Sequence, residues 1–344
     1  MEKLPVFRYQ SFLADWIRDY LDYLDHLGSS TLRPASELKH IDRFLVENHI
    51  HDLQQCDNRL WIRLADRYRN QLSPGTLRLW ACTFRGFCRF LVRQGRMMGL
   101  PLLSIPVSKP HSYRPYVFSP AELNRFFDYL HQQSTRFASP LAVYRFRSLY
   151  TFYHLLYACG LRISEAIRLT AADYSPAQFT LFIQPSKFHK DRLIPVGRKV
   201  CDNLDRLLSL RQYLFGMPAD GRLFLLLPQR RPYHKRTVSG YFQTVLQRLR
   251  IYRPRITYQG CTHGTPHLHE LRRAFAVHRL LKWYGQQADV DAKLPLLATY
   301  MGHSNFEHTK TYLTLTQQLL AEAGRRFARR FDRLDWLSDD TELR

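Results

Sequence analysis

Four short stretches of the chain carry side chains able to grip a phosphate or move a proton. In Gly160-Leu161-Arg162-Ile163-Ser164-Glu165 a guanidinium stands three residues before a carboxylate. On a helix that spacing lets Glu165 hold Arg162, and a held guanidinium presents a fork that fits two phosphate oxygens. Lys187, in the polar tip Lys187-Phe188-His189-Lys190, can reach into a groove and donate a proton. His269-Glu270-Leu271-Arg272 puts a group that titrates near neutral pH and a second guanidinium on one helix face. Gly302-His303 is followed by Tyr312, and Ser304-Asn305-Phe306-Glu307 between them reads as a capping box that sets Tyr312 about two turns into a helix. Taken singly, each has a plainer reading: a surface ion pair, a solvated turn lysine, a satisfied helix-end histidine, and one buried aromatic among 20 tyrosines.

The elements that must position these groups are legible in outline. The chain has 344 residues, a length that points to about two domains. Hydrophobic content of 45% supplies ordinary cores. The longest aliphatic or aromatic run, Leu223 to Leu227, is far short of a membrane span, and Met1 to Gln10 lacks the basic-then-apolar order of a secretory signal. Six scattered cysteines (56, 82, 88, 159, 201 and 261) read as reduced core residues, so a cytoplasmic protein is expected. Lys and Arg number 51 against 29 Asp and Glu, a formal net charge of +22. That charge asks for a polyanion, of which nucleic acid is the commonest.

The charge is uneven. Arg8 to Asn58 holds five basic and nine acidic residues, whereas Arg59 to Arg114 holds eleven basic residues and only Asp66 as an acid. Both stretches have helical spacing, in Phe12, Trp16, Tyr20 and Tyr23 and again in Phe84, Phe87 and Leu91. Ser73-Pro74-Gly75 starts the second of these helices, and Arg78, Arg85, Arg89, Arg93 and Arg96 flank its apolar stripe. A solvated basic face is the plainer reading; a DNA-facing one fits the asymmetry better. Leu100 to Pro120 contains five prolines and reads as a linker. Ser119-Pro120-Ala121-Glu122 then opens a new helix with a capping box. Helix is expected through Tyr144 to Leu169, strand-turn-strand over Phe179 to Val196, and helix again from Glu270 almost to the end.

In order and spacing, these four motifs together resemble those of the tyrosine recombinase (phage integrase) family. Gly160 to Glu165 is similar to its first-arginine box, and Ser186 to Pro195 to its lysine hairpin. His269 to Arg272, followed by Ala274-Phe275-Ala276, is similar to its His-x-x-Arg helix, and Gly302-His303 to Tyr312 keeps its His-to-Tyr spacing. The likeness of the catalytic part spans roughly residues 118 to 320. It implies a mainly α fold with a small β-sheet: a helical, SAM-like core-site-binding domain over 1–105, a linker over 106–117, and a mixed α/β catalytic domain over 118–344 ending in an exchange helix.

The resemblance also implies roles. Tyr312 would attack a DNA phosphodiester to leave a 3′-phosphotyrosine and a free 5′-hydroxyl. Arg162, Arg272 and His303 would contact the non-bridging oxygens and stabilise the transition state. Lys187 would be the general acid for the leaving oxygen, His269 would assist proton transfer, and Glu165 would orient Arg162. No cofactor is expected: two guanidinia and a lysine can do work given elsewhere to metal ions, and the energy of the cleaved bond is kept in the phosphotyrosine. Expected partners are double-stranded DNA with paired core half-sites, contacted by Arg78, Arg85, Arg89 and Arg93, a homo-tetramer on synapsed DNA, and accessory or partner recombinases, with no membrane.

Rival readings are a Xer-like dimer resolvase, a type IB topoisomerase-like nicking and closing enzyme, and a catalytically silent DNA-binding regulator. The charge and the basic insertion before His269 favour an integrase or transposase of a mobile element. No separate arm-site module is expected ahead of Arg8. Two positions depart from the family pattern, since Arg273 and Val277 stand where many members have His and Thr. Cys261, His263, His267 and His269 could be read as a zinc site, but their spacing matches no common ligand pattern. Beyond the tyrosine, Gln317 to Trp336 has helical patterning, with Leu319, Leu320, Ala323, Phe327, Phe331 and Leu334 as its stripe. A helix folded back on its own domain and a phosphate-binding tail are the plainer readings of that segment.

Overall fold

A computed structural model describes residues 7–56, 58–68, 70–99, 112–137, 139–184, 191–216, 221–226, 230–258, 261–303, 309, 311–316, 320, 321 and 324. Two compact units meet in sequence between His111 and Ser112.

The first unit is helical: α1 (Ala14–His26), α2 (Leu32–Glu47), α3 (Asn58–Tyr68) and α4 (Pro74–Arg93). Apolar residues at three- and four-residue steps bury one stripe of each helix. Ile17 and Tyr20 of α1, Leu38, Ile41 and Leu45 of α2, Trp61 and Leu64 of α3, and Phe84, Phe87 and Leu91 of α4 form a common core. Helix α4 begins where the sequence marks it: the Ser73 hydroxyl accepts the Thr76 N–H at 3.1 Å. Buried Asp42 draws the entering chain onto α2, accepting from the Ser11 hydroxyl at 2.5 Å and from the backbone N–H groups of Gln10 and Ser11 at 2.9 Å each.

The second unit is built around α6 (Pro140–Ala158), whose Tyr144, Phe152, Tyr153, Leu155 and Leu156 are all buried. A helix apolar on nearly every side must be enclosed, and α5 (Pro120–Arg136), α8 (Arg198–Phe215) and α10 (His269–Gly285) pack against it. The expected capping box at Ser119 and Glu122 is present. Strands β2 (Tyr174–Ser175), β3 (Thr180–Ile183) and β4 (Arg192–Pro195) form an antiparallel sheet with Leu181 opposite Ile194 and Ile183 opposite Arg192. A two-stranded ribbon, β5 (Leu225–Leu226) with β6 (Arg231–Pro232), precedes α9 (Lys235–Arg248). In a third sheet, β7 (Ile256–Tyr258) pairs antiparallel with β8 (Cys261–His263), and β8 pairs parallel with β1 (Ser112–Arg114). Among the described residues the fold is therefore mainly α with small sheets.

Three local expectations need correction. Residues 112–114, in the segment read as linker, are the strand β1. The continuous helix expected from Tyr144 to Leu169 is broken: α6 ends at Ala158, Gly160 takes a left-handed φ of +59°, and α7 (Ile163–Arg168) starts anew. The C-terminal helical pattern is likewise interrupted, by α11 (Val290–Met301) ending at Gly302, φ +67°, before helix resumes at 311–316. The Lys187 tip, the Ser304-to-Glu307 box and nearly all of the C-terminal tail lie outside the described residues.

Candidate active site

The break after α6 changes what Arg162 is. Instead of sitting within a helix, it is the N-cap of α7, with an extended backbone at φ −72° and ψ 149°. Glu165 therefore grips it twice, accepting the Arg162 backbone N–H at 2.9 Å and its Nη1 at 2.7 Å. The second terminal nitrogen, Nη2, donates to the carbonyl of Gly302 at 2.6 Å. The helix-start dipole and the orphan N–H explain why a carboxylate three residues on belongs there.

Glu165 is almost fully buried and is shared. Arg192, at the start of β4, donates to it from Nη1 at 3.1 Å and Nη2 at 3.0 Å, while Arg192 Nε donates to the carbonyl of Tyr300 at 2.9 Å. Burial alone would raise the Glu165 carboxyl, but the hydrogen bonds and charge of Arg192, with those of Arg162, outweigh it and hold it down at about 2. Sequence reading left Arg192 as one letter of the hairpin motif. A signal was present: Arg192 shares a strand face with Ile194, which is buried, and an arginine on the inward face of a strand requires a buried acid.

Arg272 lies on α10, one turn in from His269, and is 2% exposed. Its Nη1 donates to the carbonyl of Gly160 at 2.5 Å and its Nη2 to that of Met301 at 2.8 Å. Burial, then the nearby positive charge of Arg162, bring its guanidinium down to about 10, while Tyr312 and Glu165 act in the opposite sense. Gly160 and Gly302 are thus the residues where the chain must turn left-handed and present carbonyls at close quarters. A Cβ on Gly160 would stand 2.5 Å from Phe275 Cδ1, and one on Gly302 would stand 2.7 Å from Arg192 Nη1.

His269 is the first residue of α10, and its outer edge is open to solvent. The protein packed around it, then the cations Arg273 and Arg272, push its imidazole down to about 4. Glu270, fully buried, takes the guanidinium of Arg273 and stands 2.9 Å from His267 Nδ1. The departure at Arg273 thus brings a fourth guanidinium beside the site, after those of Arg162, Arg192 and Arg272. Burial pushes its pKa down, while Tyr312 and Tyr113 act in the opposite sense.

Tyr312 is 6% exposed and packs in a core with Phe275, Val277 and Leu315. Its ring stacks on His303, centroids 5.8 Å apart and planes 25° from parallel. His303 Nδ1 hydrogen-bonds the Thr309 hydroxyl at 2.7 Å, and the Thr316 hydroxyl donates to the Tyr312 carbonyl at 2.8 Å. Arg162, Glu165, Arg272, His303 and Tyr312 are therefore linked by direct contacts or by charge, with His269 facing Arg162 and Arg272. Lys187 lies outside the described residues, so its position relative to this group is not given.

In the first unit, Arg78, Arg89 and Arg93 are exposed along α4 and Arg85 is half-buried. Arg93 donates to the Tyr23 hydroxyl at 3.4 Å, and Arg96 is neutralised by Asp19 at 2.8 Å. Among the described residues no three His, Cys, Asp or Glu side chains are grouped to hold a metal ion, so Cys261, His263, His267 and His269 are not gathered into a ligand set. No described helix is long and apolar enough to cross a membrane.

Comparison with known proteins bears directly on this site. The sequence profile described as the phage integrase family matches residues 117–318. A putative integrase/recombinase of Sinorhizobium fredii, y4rB, is 32% identical over 325 residues, covering 92% of this chain and 97% of that protein. The tyrosine recombinase XerC of Escherichia coli O157:H7 is 27% identical over 310 residues, covering 89% of this chain and 93% of that protein. Among solved structures, the XerH site-specific recombinase in a post-cleavage complex with its palindromic difH substrate superposes with a TM-score of 0.64. It is 15% identical and covers 90% of this chain and 83% of that one, which establishes a shared fold.

Proposed function

The chain belongs to the phage integrase family of tyrosine recombinases, enzymes that break and rejoin DNA, and from that premise we propose that Tyr312 is its nucleophile. The observation that carries the reading is that Arg162 and Arg272 donate to the Gly302 and Met301 carbonyls, at the turn that leads into His303, and that His303 stacks on Tyr312, so three separate stretches of sequence meet there.

The Tyr312 oxygen attacks the scissile phosphorus; the new bond is Tyr312 O–P and the broken one is P–O5′. The tyrosine proton passes to a neighbouring base, and His269, kept neutral at physiological pH by burial and then by the cations beside it, assists that transfer. Lys187 protonates the departing 5′-oxygen. Arg162 and Arg272, fixed by backbone carbonyls before substrate arrives, meet the charge that builds on the non-bridging oxygens, and His303 donates alongside them. Rejoining is the reverse attack by a 5′-hydroxyl, so the phosphotyrosine conserves the bond and no ATP is consumed. The expected cofactor set is empty.

The substrate is double-stranded DNA with paired half-sites, engaged in part by Arg78, Arg85, Arg89 and Arg93 of α4 and cut within a synapsed homo-tetramer. The role is that of a mobile-element integrase or transposase, which the net charge of +22 and the resemblance to an integrase/recombinase favour over chromosome-dimer resolution. The setting is cytoplasmic and nucleoid-associated. Incubating the full chain with two DNA copies of the sequence it selects from a random pool tests this. Reciprocal strand exchange is expected. Relaxation of supercoils without exchange supports the topoisomerase-like rival, and binding without any cleavage supports the regulator. Truncation after Gln317 is expected to leave half-site binding but abolish cooperative filling of paired half-sites in a gel-shift titration; unchanged cooperativity would remove the tail from assembly.

A further inference from the structure

Outside the residues given chemical roles, one side chain ties together more of the site than any other described. Arg192 is nine-tenths buried and spends every part of its guanidinium: Nη1 and Nη2 on Glu165, Nε on the Tyr300 carbonyl. It also fills the space over Gly302 so closely that a Cβ there would stand 2.9 Å from its Cζ. Its partners are 27 and 108 residues away in sequence, on the α7 start and at the end of α11.

We propose that Arg192 is a positioning residue for DNA cleavage, fixing the Glu165 carboxylate and the Tyr300–Gly302 turn and, through these two, the Arg162 guanidinium. The inference rests on the function proposed above. Arg162 has two anchors, Glu165 and the Gly302 carbonyl, and Arg192 braces both. Without Arg192, Glu165 keeps its burial but loses the largest influence opposing it, so its proton is no longer excluded in the working range. A protonated Glu165 has no charge with which to hold Arg162. Among the described residues, the charged groups that face Glu165 are Arg162 from the α7 start, Arg192 from β4 and, more remotely, Arg272 from α10, which is itself faced by Tyr312. The turn after α11 offers only carbonyls, with His303 next in sequence.

The test is the pH dependence of cleavage for wild type, Arg192→Lys and Arg192→Gln, read as covalent adduct formed on a nicked duplex carrying the selected site. A merely structural contribution lowers the rate by one factor at every pH. The positioning role gives Arg192→Gln a new acid limb, so that its rate relative to wild type falls about tenfold per pH unit below the raised Glu165 pKa and recovers as the pH rises above it. Lys keeps the charge and loses the fork, and its limb is expected between the two. If the Gln variant does not fold, the Lys profile against wild type decides alone. Parallel profiles would overturn the inference for Arg192 while leaving the proposed function standing; a wild type that forms no adduct would overturn the function itself.

Discussion

The Arg272 guanidinium donates to the carbonyl of Gly160 at 2.5 Å, across 112 residues of sequence. This bond makes the start of α7 and the start of α10 one unit, because Gly160 is the left-handed turn that releases the chain from α6 and sets Arg162 as the next helix cap. The Arg162 and Arg272 guanidinia are thus held by main-chain carbonyls at two glycine turns, with the buried Glu165 carboxylate as the second anchor of Arg162.

Gly160→Ala is expected to be costly twice over. A left-handed alanine costs about 1–2 kcal/mol, and crowding Phe275 adds about 1–3 kcal/mol. Thermal or urea unfolding should show the loss, with cleavage falling further than half-site binding because the Arg272 anchor moves. Unchanged stability would mean that Phe275 and the turn relax freely.

Glu165 makes a specific acid-stability prediction. Its folded-state carboxyl is depressed to about 2 from an ordinary value of 4.5, so it stabilises the fold above pH 4.5 and that stability drains away as pH falls from about 5 towards 2. The contribution is on the order of 3 kcal/mol. Glu165→Gln should be less stable than wild type at pH 7, since it leaves two guanidinia without their acid, and the two stability curves should converge on acidification. Denaturant melts between pH 7 and pH 3 check this; parallel curves would place the depressed carboxyl elsewhere.

The exposed arginines of α4 are expected to set the salt dependence of DNA binding. Each neutralised phosphate contributes about −0.9 to the slope of log K against log salt, so Arg78→Ala with Arg89→Ala should flatten the slope by about 1.8. Fluorescence anisotropy on duplex DNA over a salt series reads it directly. An unchanged slope would move the phosphate surface off α4.

Much of the site was legible in the sequence because its chemistry is carried by local motifs. The pairs Arg162 with Glu165 and His269 with Arg272 are each set by spacing within one turn, and the caps at Ser73 and Ser119 are local as well. What escaped is long-range. Arg192 acquires its meaning only when β4 meets α7 and α11, and β1 exists only because β8, some 150 residues on, offers it a parallel edge. Helical periodicity also ran through Gly160, where the packing of Phe275 and the demand of Arg272 for a carbonyl decide the break. The α4 arginines show the reverse case: the pattern marked a basic face, but not that Asp19 would claim Arg96.

The most direct measurement is the identity of the residue bonded to DNA. A nicked suicide duplex carrying the selected site, incubated with the full chain in EDTA, should trap a covalent complex. Digestion and mass spectrometry should then place the nucleotide on Tyr312 through a 3′-phosphate. Tyr312→Phe should abolish the complex while changing half-site affinity by less than about threefold, or roughly 0.7 kcal/mol. An adduct that persists in Tyr312→Phe, or cleavage that strictly requires Mg²⁺ and leaves a 5′-phosphate with no adduct, would contradict a tyrosine nucleophile at this position.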